Sequence, residues 1–385
     1  MKLKTLIGGI KKKKIFKEKR RKVDQIKVGF VVQMPEIWDK EAPLFEAMLS
    51  DKRFDAYLII VPHYDLANSR LDQYGEERAY FVEKYPMSQI VLMNDLDDMV
   101  IDDSYDYIFY QRCWEIYIPD QLRCKNVINH AITCYIPYCY HGAPEPMSYY
   151  RTDFFRYLCK FYCCSVDQYE QVKNIDRLSC DYLGYPVIDS VKYEPNAHST
   201  INILWTPRWT DSPEVGGTSF NRNRDAILSI SELYSNVKLV LRPHPLTFEN
   251  AIKQGWMTEP EIEEYKKRVI TSGASFDKNK IIEDTFVDTD ILITDFSSSI
   301  ITYFLSGRPI IYCADYNFVM IDTFRDIIQS TYIARNWNET LKILNDLING
   351  HDPKNDERQK IIEKIKKTGS SVDDIMRDLY NTIVE

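Results

Sequence analysis

The chain has 385 residues, long enough for two domains of ordinary size, and its 44% hydrophobic content excludes a disordered protein. Its nine cysteines show no Cys-x-x-Cys pair or regular spacing, which argues against a zinc site or a disulfide framework and favours a reducing cytoplasm. No apolar run reaches the roughly 18 residues that span a bilayer. The net charge of -8 argues against nucleic-acid binding as the main task.

Positive charge is concentrated at the start of the chain. Residues 1–22 contain eleven Lys or Arg and one acidic residue, a formal charge of +10, so residues 23–385 carry -18. Apolar side chains such as Leu6 and Ile10 interleave with the basic ones. This pattern predicts a basic amphipathic arm over residues 1–24 that binds an anionic membrane surface, because each basic residue near anionic lipid contributes about 1 kcal/mol. A disordered solubilising tail is the alternative.

Short apolar runs alternate with helical segments in the first half of the chain, the pattern of a parallel sheet covered by helices. The strands predicted here are residues 27–33, 56–61, 89–93, 107–110, 131–137 and 159–165. Helices are predicted at 43–49 and 76–84. Together these elements predict an α/β domain over residues 25–194, followed by a polar linker at 195–200.

The pattern restarts after the linker. Further strands are predicted at 201–206, 238–241, 281–282, 291–294 and 310–313, and terminal helices at 337–347, 356–367 and 372–383. Thr210–Arg224 is rich in Gly, Ser, Asn and Arg, a composition that predicts a flexible loop or lid near the site. The predicted organisation is a second α/β domain over residues 195–335 and C-terminal helices over residues 336–385.

Two strand ends in the second domain carry groups that bind anions. The strand at 291–294 is followed by Ser297–Ser299 and a helical stretch, so free N–H groups and hydroxyls collect there. Arg242 and His244 follow an earlier strand. Because open α/β sheets bind ligands at the carboxyl edge, the two ends together predict a phosphate site. Taken alone, the three serines have an alternative interpretation as the cap of the following helix. The prolines around His244, taken alone, have an alternative interpretation as a rigid exit from the strand.

Five ordered motifs resemble those of the CDP-glycerol glycerophosphotransferases, the enzymes that prime and polymerise wall teichoic acids and related capsule backbones. They are His141–Pro144 (His-Gly-Ala-Pro), Gly184–Asp189 (Gly-Tyr-Pro-Val-Ile-Asp), Ile203–Asp211, Leu241–Pro245 (Leu-Arg-Pro-His-Pro), and Ile293–Ser299 with Arg308–Tyr312 and Asp315. The resemblance covers residues 135–315 and departs from the family at three places. Ala143 replaces a threonine, Val187 replaces an arginine, and Glu145–Met147 replaces a Leu-Lys pair.

The resemblance implies a GT-B fold, in which two doubly wound parallel-sheet, Rossmann-like domains face each other across a cleft. The first domain would hold the acceptor and the second the nucleotide donor. His141 is the implied general base on the acceptor side, and His244 the donor-side group that donates to the phosphate, since histidine titrates near neutrality. The predicted substrate-binding residues are Arg242, Ser297, Ser298, Ser299, Asp295, Thr206, Arg208 and Gly142.

No protein-bound metal is predicted. Asp288 and Asp290 have the spacing of a metal motif, but they precede a strand at its N-terminal end, away from the ligand-binding edge. We expect no obligatory cofactor, and Mg²⁺ on the donor diphosphate stays open.

The implied function is transfer of glycerol phosphate, or a related polyol phosphate such as ribitol phosphate, from a CDP-activated donor to a hydroxyl of a lipid-linked or polymeric glycan. The implied location is cytoplasmic, peripheral at the inner face of the membrane. The alternatives are a GT-B glycosyltransferase with a CMP- or UDP-sugar donor, a nucleotide-sugar 2-epimerase, which the basic arm disfavours, and a binding protein with a decayed site. The sequence leaves open which polyol or sugar is transferred, what the acceptor is, and whether one unit or many are added. It also leaves open the metal dependence and the oligomeric state.

Overall fold

The computed structural model describes residues 2–62, 64–65, 70–71, 76–93, 100–191, 193, 199–313, 318–366 and 369–384. The chain divides into two compact units. Unit 1 comprises Met1–His141, Glu145–Ser190 and Thr368–Glu385, and unit 2 comprises Gly142–Pro144 and Val191–Lys367. Most of the predicted linker and Asp315 lie outside the described residues.

Unit 1 contains a seven-stranded parallel sheet. Its strands are β1 Ile26–Val32, β2 Phe54–Ile60, β5 Ile90–Leu92, β6 Tyr107–Tyr110, β7 Ile132–Tyr135, β8 Lys160–Tyr162 and β9 Cys180–Asp181, and a separate antiparallel pair is formed by β3 Tyr64–Asp65 and β4 Arg70–Leu71. The sheet order is β5-β2-β1-β6-β7-β8-β9, so the order reverses beside β1 as in doubly wound sheets. Six of the seven residues of β1 are buried, as in a strand that is covered on both faces, and Phe30 stacks on Phe109 with ring centroids 4.9 Å apart.

The helices of unit 1 come from both ends of the chain. They are α1 Lys2–Lys19, α2 Ala42–Leu49, α3 Glu76–Lys84, α4 Cys124–Val127, α5 Asp153–Tyr157, α6 Val166–Val172, α7 Pro186–Ser190 and α17 Ser371–Ile383. The last of these returns to unit 1 after the whole of unit 2 has been completed.

Unit 2 contains a six-stranded parallel sheet. Its strands are β10 Ile201–Thr206, β11 Val237–Leu241, β12 Ser275–Phe276, β13 Ile291–Thr294, β14 Ile310–Tyr312 and β15 Tyr332–Ile333. The order β12-β11-β10-β13-β14-β15 reverses between β10 and β13. Its helices are α8 Phe220–Asn223, α9 Ile230–Leu233, α10 Thr247–Lys253, α11 Glu259–Thr271, α12 Ile282–Asp288, α13 Ile300–Phe304, α14 Asp322–Gln329, α15 Trp337–Ile348 and α16 Asn355–Lys366.

The core of unit 2 lies around β10. Trp205 and Phe220 are fully buried and stack with ring centroids 5.9 Å apart, which fixes α8 against the sheet. Helix α11 begins with a capping box, in which Thr258 and Glu261 satisfy each other's backbone N–H groups. The two sheets confirm the predicted fold class, α/β with two doubly wound parallel sheets.

The Gly-Tyr-Pro motif at 184–186 joins the C-terminal helix to unit 1. Gly184 has φ +88°, and a Cβ there would lie 2.6 Å from Cβ of Ser371. Asp189, the last residue of the motif, accepts hydrogen bonds from the N–H and the hydroxyl of Ser371, both at 2.6 Å. A glycine is therefore required for the left-handed backbone and the close approach, and the aspartate caps α17.

The basic N-terminal segment forms α1 and belongs to unit 1, whereas the sequence predicts a separate arm. Ile15 is buried, and three lysines donate to backbone carbonyls of unit 1: Lys11 to Lys125 at 2.9 Å, Lys12 to Arg177 at 2.8 Å and Lys19 to Asp103 at 2.7 Å. On the other side, Leu6, Ile7 and Ile10 remain exposed. Among the helices that the structure describes, none combines the length and apolar character needed to cross a membrane.

Two local predictions are wrong. Ile281 and Ile282 do not form a strand, because Ile282 begins α12 and the edge strand is β12 instead. The segment 210–224 is not an open loop throughout, since it ends in α8 and buries Ser219 and Asn223.

Candidate active site

Asp295 lies where the strand order of unit 2 reverses, the place at which open α/β sheets bind ligands. It directly follows β13 and is 1% exposed. Its Oδ2 accepts from the N–H of Arg208 at 2.8 Å, the N–H of Ser219 at 2.9 Å and the hydroxyl of Thr218 at 3.1 Å. One carboxylate oxygen thereby holds together the segments that follow β10 and β13 and the segment that precedes α8.

The electrostatic surroundings of the Asp295 carboxyl group fit a structural role better than direct contact with a ligand. Burial raises the pKa of Asp295, and the hydrogen bonds from Ser219, Arg208 and Thr218 oppose this. Its Oδ1 is buried without a hydrogen-bond partner in the described part of the chain. The sequence predicts a substrate-binding role, but the structure places this carboxyl beneath the edge, where it orders the backbone that borders the site.

The serine turn after β13 presents unused donors. The hydroxyls of Ser297 and Ser299 lie 2.8 Å apart, and the N–H of Ser299 donates to Ser297 Oγ at 3.3 Å. Neither the hydroxyl nor the N–H of Ser298 has a hydrogen-bond partner among the described residues. The turn is half-buried, so its donors are reachable by a ligand. Of the three serines, Ser298 is the one whose donors are all available.

Thr206 and Arg208 follow β10 and are largely engaged within unit 2. Thr206 donates to the hydroxyl of Thr294 at 2.7 Å across the two central strands. Arg208 donates to the carbonyl of Phe296 at 2.6 Å and lies over its ring, 5.2 Å from the centroid. Arg208 Nε is buried and lacks a partner in the described ranges. Arg208 is therefore held at the edge through Nη1, and its buried Nε is an unsatisfied donor within the described residues.

Arg242, predicted to bind phosphate, is engaged elsewhere in the structure. Its guanidinium pairs with Asp277 and donates to the carbonyls of Asn279 at 2.7 Å and Lys280 at 2.8 Å. These contacts fix the segment that follows β12. The phosphate role of Arg242 stays a prediction, and its observed contacts are structural.

His244 is oriented as a neutral hydrogen-bond donor. The N–H of Leu246 donates to its Nδ1 at 3.1 Å, which leaves the proton of the neutral ring on Nε2. Partial burial lowers the pKa of His244 to about 4, and the positive charge of Arg208 adds to the shift. The ring lies beside Trp209, with centroids 6.0 Å apart. At neutral pH this histidine can donate to a phosphate oxygen but does not add a positive charge.

Gly142, predicted to bind substrate, belongs to unit 2 and packs tightly there. A Cβ at this position would lie 2.9 Å from ring atoms of both Phe296 and Phe324. Its carbonyl accepts from the N–H of Ile321 at 3.0 Å. Glycine is required here because any side chain would displace an aromatic ring. A contact with substrate stays a prediction.

His141 belongs to unit 1 and faces a carboxylate. It is 7% exposed, and its Nδ1 lies 3.2 Å from Glu145 Oε1, four residues further along the chain. Its own N–H donates to the sulfur of Cys164 at 3.4 Å, and its ring packs edge-on against Tyr149. Nε2 is buried and has no hydrogen-bond partner among the residues described.

The surroundings of His141 favour its protonated form. Burial by itself lowers the pKa of His141, but the sulfur of Cys139 and the carboxylate of Glu145 outweigh it and raise the pKa to about 10. The two motif histidines therefore have opposite protonation preferences. His141 is a strong base once it is deprotonated, and His244 is a neutral donor.

Three residues with a role at these sites are absent from the sequence-based prediction. Thr218 and Ser219 contact Asp295 from a segment predicted as a lid, and no local pattern marks such a long-range contact. Glu145 has a signal that is visible in the sequence, because it follows the motif histidine at a spacing of four. It is also one of the residues that depart from the family pattern.

Within the described ranges, no group of three or more His, Cys, Asp or Glu side chains is arranged to hold a metal ion.

The two parallel sheets, each with a reversal of strand order, place the chain in the GT-B class of α/β proteins. Its fold matches UDP-GlcNAc 2-epimerase from Neisseria meningitidis bound to UDP-GlcNAc with a TM-score of 0.61 and 12% identity, over 92% of this chain and 100% of the other. It matches the wall teichoic acid polymerase TagF with a TM-score of 0.57 and 13% identity, over 98% and 97% of the two chains. A further UDP-N-acetylglucosamine 2-epimerase gives 0.58 and 13%, over 93% and 96%.

A family model matches the second half of the sequence. Residues 182–372 match the model of the family described as CDP-Glycerol:Poly(glycerophosphate) glycerophosphotransferase. The chain is accordingly a transferase, and the resemblance noted in the sequence is confirmed. The match covers nearly all of unit 2, including His244 and the serine turn. Comparison with curated proteins finds no relative of significant sequence similarity.

Proposed function

We propose that this chain transfers glycerol phosphate from CDP-glycerol to a hydroxyl of a lipid-linked or polymeric acceptor in the synthesis of teichoic acid or a related surface polymer. The observation that carries the proposal is the family match over residues 182–372, because it coincides with the unit whose carboxyl edge presents Ser298 and His244. The donor follows from the family. The polymeric or lipid-linked acceptor is the finer part of the proposal.

On the donor side, the chemistry requires charge stabilisation more than covalent assistance. The acceptor oxygen bonds to the phosphorus of the glycerol phosphate group, and the bond from that phosphorus to the bridging oxygen of CMP breaks. Such transition states are loose, so positioned donors matter most. Ser298 offers an N–H and a hydroxyl, and neutral His244 offers Nε2–H to the phosphate oxygens.

On the acceptor side, we assign the proton transfer to His141. The hydroxyl proton passes to Nε2, while Glu145 stays beside Nδ1 and stabilises the imidazolium that forms. Because the raised pKa keeps His141 protonated at neutral pH, only a small fraction of the enzyme is in the reactive form there. Transfer should accordingly become faster as the pH rises toward about 10.

A donor panel tests the proposal directly. The purified chain is incubated with CDP-glycerol, CDP-ribitol or UDP-GlcNAc, each with and without a glycerol phosphate oligomer, and nucleotide release and elongation of the oligomer are measured. We expect CMP release and elongation with CDP-glycerol, and the same assay with EDTA tests a role for Mg²⁺. Turnover of UDP-GlcNAc without acceptor would instead indicate an epimerase, and UDP release with acceptor a glycosyltransferase.

We also propose that the protein acts as a peripheral protein at the cytoplasmic face of the membrane, through residues 1–22. Leu6, Ile7 and Ile10 are exposed together on α1. Beside them lie exposed lysines, among them Lys13 and Lys17, that have no hydrogen-bond or ion-pair partner among the residues of unit 1 that the structure describes. Sedimentation with anionic vesicles at low and high salt tests this, using L6Q/I10Q in place of a deletion because the buried Ile15 supports unit 1. Binding that is unchanged in this variant would rule out a role for the apolar face.

A further inference from the structure

A cavity of about 600 Å³ in unit 1 combines apolar walls with arginine side chains. Its lining includes Arg151, Arg156 and Arg177 and a single carboxylate, Asp176. Phe155 and Leu178 form part of the buried apolar wall. An apolar wall with excess positive charge is suited to an amphiphile that has an anionic head.

The three arginines are not equally available. Arg156 pairs with Asp153 and donates to the carbonyl of Arg151 at 2.9 Å, so it is already held. The guanidinium of Arg151 has no hydrogen-bond or ion-pair partner among the residues that the structure describes. Arg177 has only a long contact, 3.7 Å from Nε to Asp176. Two guanidinium groups are therefore available to an anion.

The backbone at Arg177 supplies a second observation. Its φ is +62°, a conformation that glycine adopts without cost and that arginine adopts rarely. Such strain concentrates at functional sites, where the side chain is needed in that place. The carbonyl of Arg177 also accepts from Lys12 at 2.8 Å, which brings α1 to the cavity.

Helix α1 packs against two of the residues that line the cavity, Arg156 and Arg177, and carries the exposed apolar residues. A Cβ at Gly8 would lie 2.6 Å from the carbonyl oxygen of Arg156, and one at Gly9 would lie 3.0 Å from Cδ of Arg177, so the helix packs closely on this wall. Leu6 and Ile10 of the same helix are 45% and 59% exposed. An apolar surface beside a cationic cavity is the arrangement that a lipid with a phosphate head requires.

We propose that this cavity binds the phosphate headgroup of an amphiphilic, lipid-linked acceptor, with Arg151 and Arg177 as the phosphate contacts and α1 beside the lipid chain. The inference rests on the proposed function and adds to it a site in unit 1 for the phosphate of a lipid-linked acceptor. Bidentate guanidinium contacts suit a phosphate monoester or diphosphate better than a neutral sugar.

The test uses the full chain and vesicles of phosphatidylcholine with or without a polyprenyl phosphate. The double variant R151Q/R177G removes both available charges, and R377Q is the control, since Arg377 is an exposed arginine of unit 1 on α17. Arg177→Gly also relieves the positive φ, so the variant should fold, which its melting temperature verifies. We expect the double variant to lose roughly tenfold or more in affinity for polyprenyl phosphate vesicles, and the control to bind as wild type.

Glycerol 3-phosphate as a soluble competitor separates the two sources of phosphate. If it binds the wild type and not the double variant, while the vesicles do not bind, then the cavity serves a soluble phosphate and the lipid assignment is overturned. Equal binding of vesicles by wild type and double variant, or an equal loss in R377Q, overturns the site altogether. CDP-glycerol binding by the same preparation is measured separately, and its absence would contradict the proposed function and not the cavity.

Discussion

The two motif histidines lie in environments that act in opposite directions. His141 of unit 1 is almost fully buried beside a carboxylate and two cysteine sulfurs, and its pKa is raised to about 10. His244 of unit 2 lies at a strand end, where partial burial and, to a smaller extent, the charge of Arg208 lower its pKa to about 4. One residue type is thus set up as a base in one unit and as a neutral donor in the other, and the environment decides which.

The largest effect should come from His141→Ala. Loss of a general base should lower the rate of glycerol phosphate transfer by about 10²–10⁴-fold while leaving CDP-glycerol affinity unchanged. Steady-state kinetics and calorimetry measure the two quantities. His130→Ala is the matched control, because His130 is an exposed histidine of unit 1 that contacts Asp103. If His141→Ala retained more than about a tenth of wild-type turnover, His141 would not be the base.

A smaller effect is expected from His244→Ala, and on a different quantity. Removal of the Nε2–H donor should weaken CDP-glycerol binding by roughly tenfold, the usual effect of losing a hydrogen bond to a charged group. Calorimetry measures this, with His351→Ala as the control in the same unit. Wild-type affinity in His244→Ala would mean that this histidine does not contact the donor, and the contrast between the two histidines would lose its functional meaning.

Glu145→Gln should shift the pH dependence of kcat/KM more than it changes the maximal rate of transfer. A base must be deprotonated, so kcat/KM of the wild type should rise with pH through the pKa of His141. Loss of the carboxylate lowers that pKa and should move the rising limb to lower pH. Cys139→Ser is the companion variant, because its sulfur also raises this pKa. A limb at the same pH in Glu145→Gln would exclude Glu145 as the positioning residue.

The interaction of His141 with Glu145 should also make the folding stability of the protein depend on pH. Because the folded pKa of His141 is raised, its contribution is fully present below the unfolded value of about 6.5 and is lost as the pH rises through about 10. Thermal unfolding of wild type and Glu145→Gln between these values should show the wild type losing more stability as the pH rises.

The smallest effect concerns the pH dependence of donor binding. His244 is neutral well above about pH 4, so CDP-glycerol affinity should be flat, within about twofold, from about pH 5 to 8. Calorimetry over that range measures it. An affinity that fell several-fold across neutrality would show that a protonated His244 binds the phosphates.

The parts of the fold that were predictable are those with a local cause. Strands β6, β10 and β13 have the predicted bounds, because β6 and β13 are short apolar runs buried along their whole length and β10 has a buried apolar centre. The short edge strands β12 and β15 were not predicted, since two residues show no periodicity and pair only through their neighbours.

The site was predictable as a set of motifs but not as a set of contacts. The motif around Arg242 correctly marks a strand end, but the guanidinium pairs with Asp277, which lies 35 residues away in the sequence. Asp295 likewise orders the backbone by accepting hydrogen bonds from Thr218 and Ser219. These two residues belong to a segment whose composition predicts only flexibility. Long-range pairing decides which donors of a motif are used and which remain for a ligand, and no local pattern records it.

The return of α17 to unit 1 constrains the order in which the chain can fold as it leaves the ribosome. Tyr107, in the middle of the first sheet, donates to the carbonyl of Leu379 at 2.7 Å, and Asp189 caps the same helix. The first unit therefore lacks a helix until Ser371–Ile383 has been synthesised, whereas the residues of unit 2 end at Lys367. A nascent chain should hold a finished second unit while the first, begun earlier, is still incomplete.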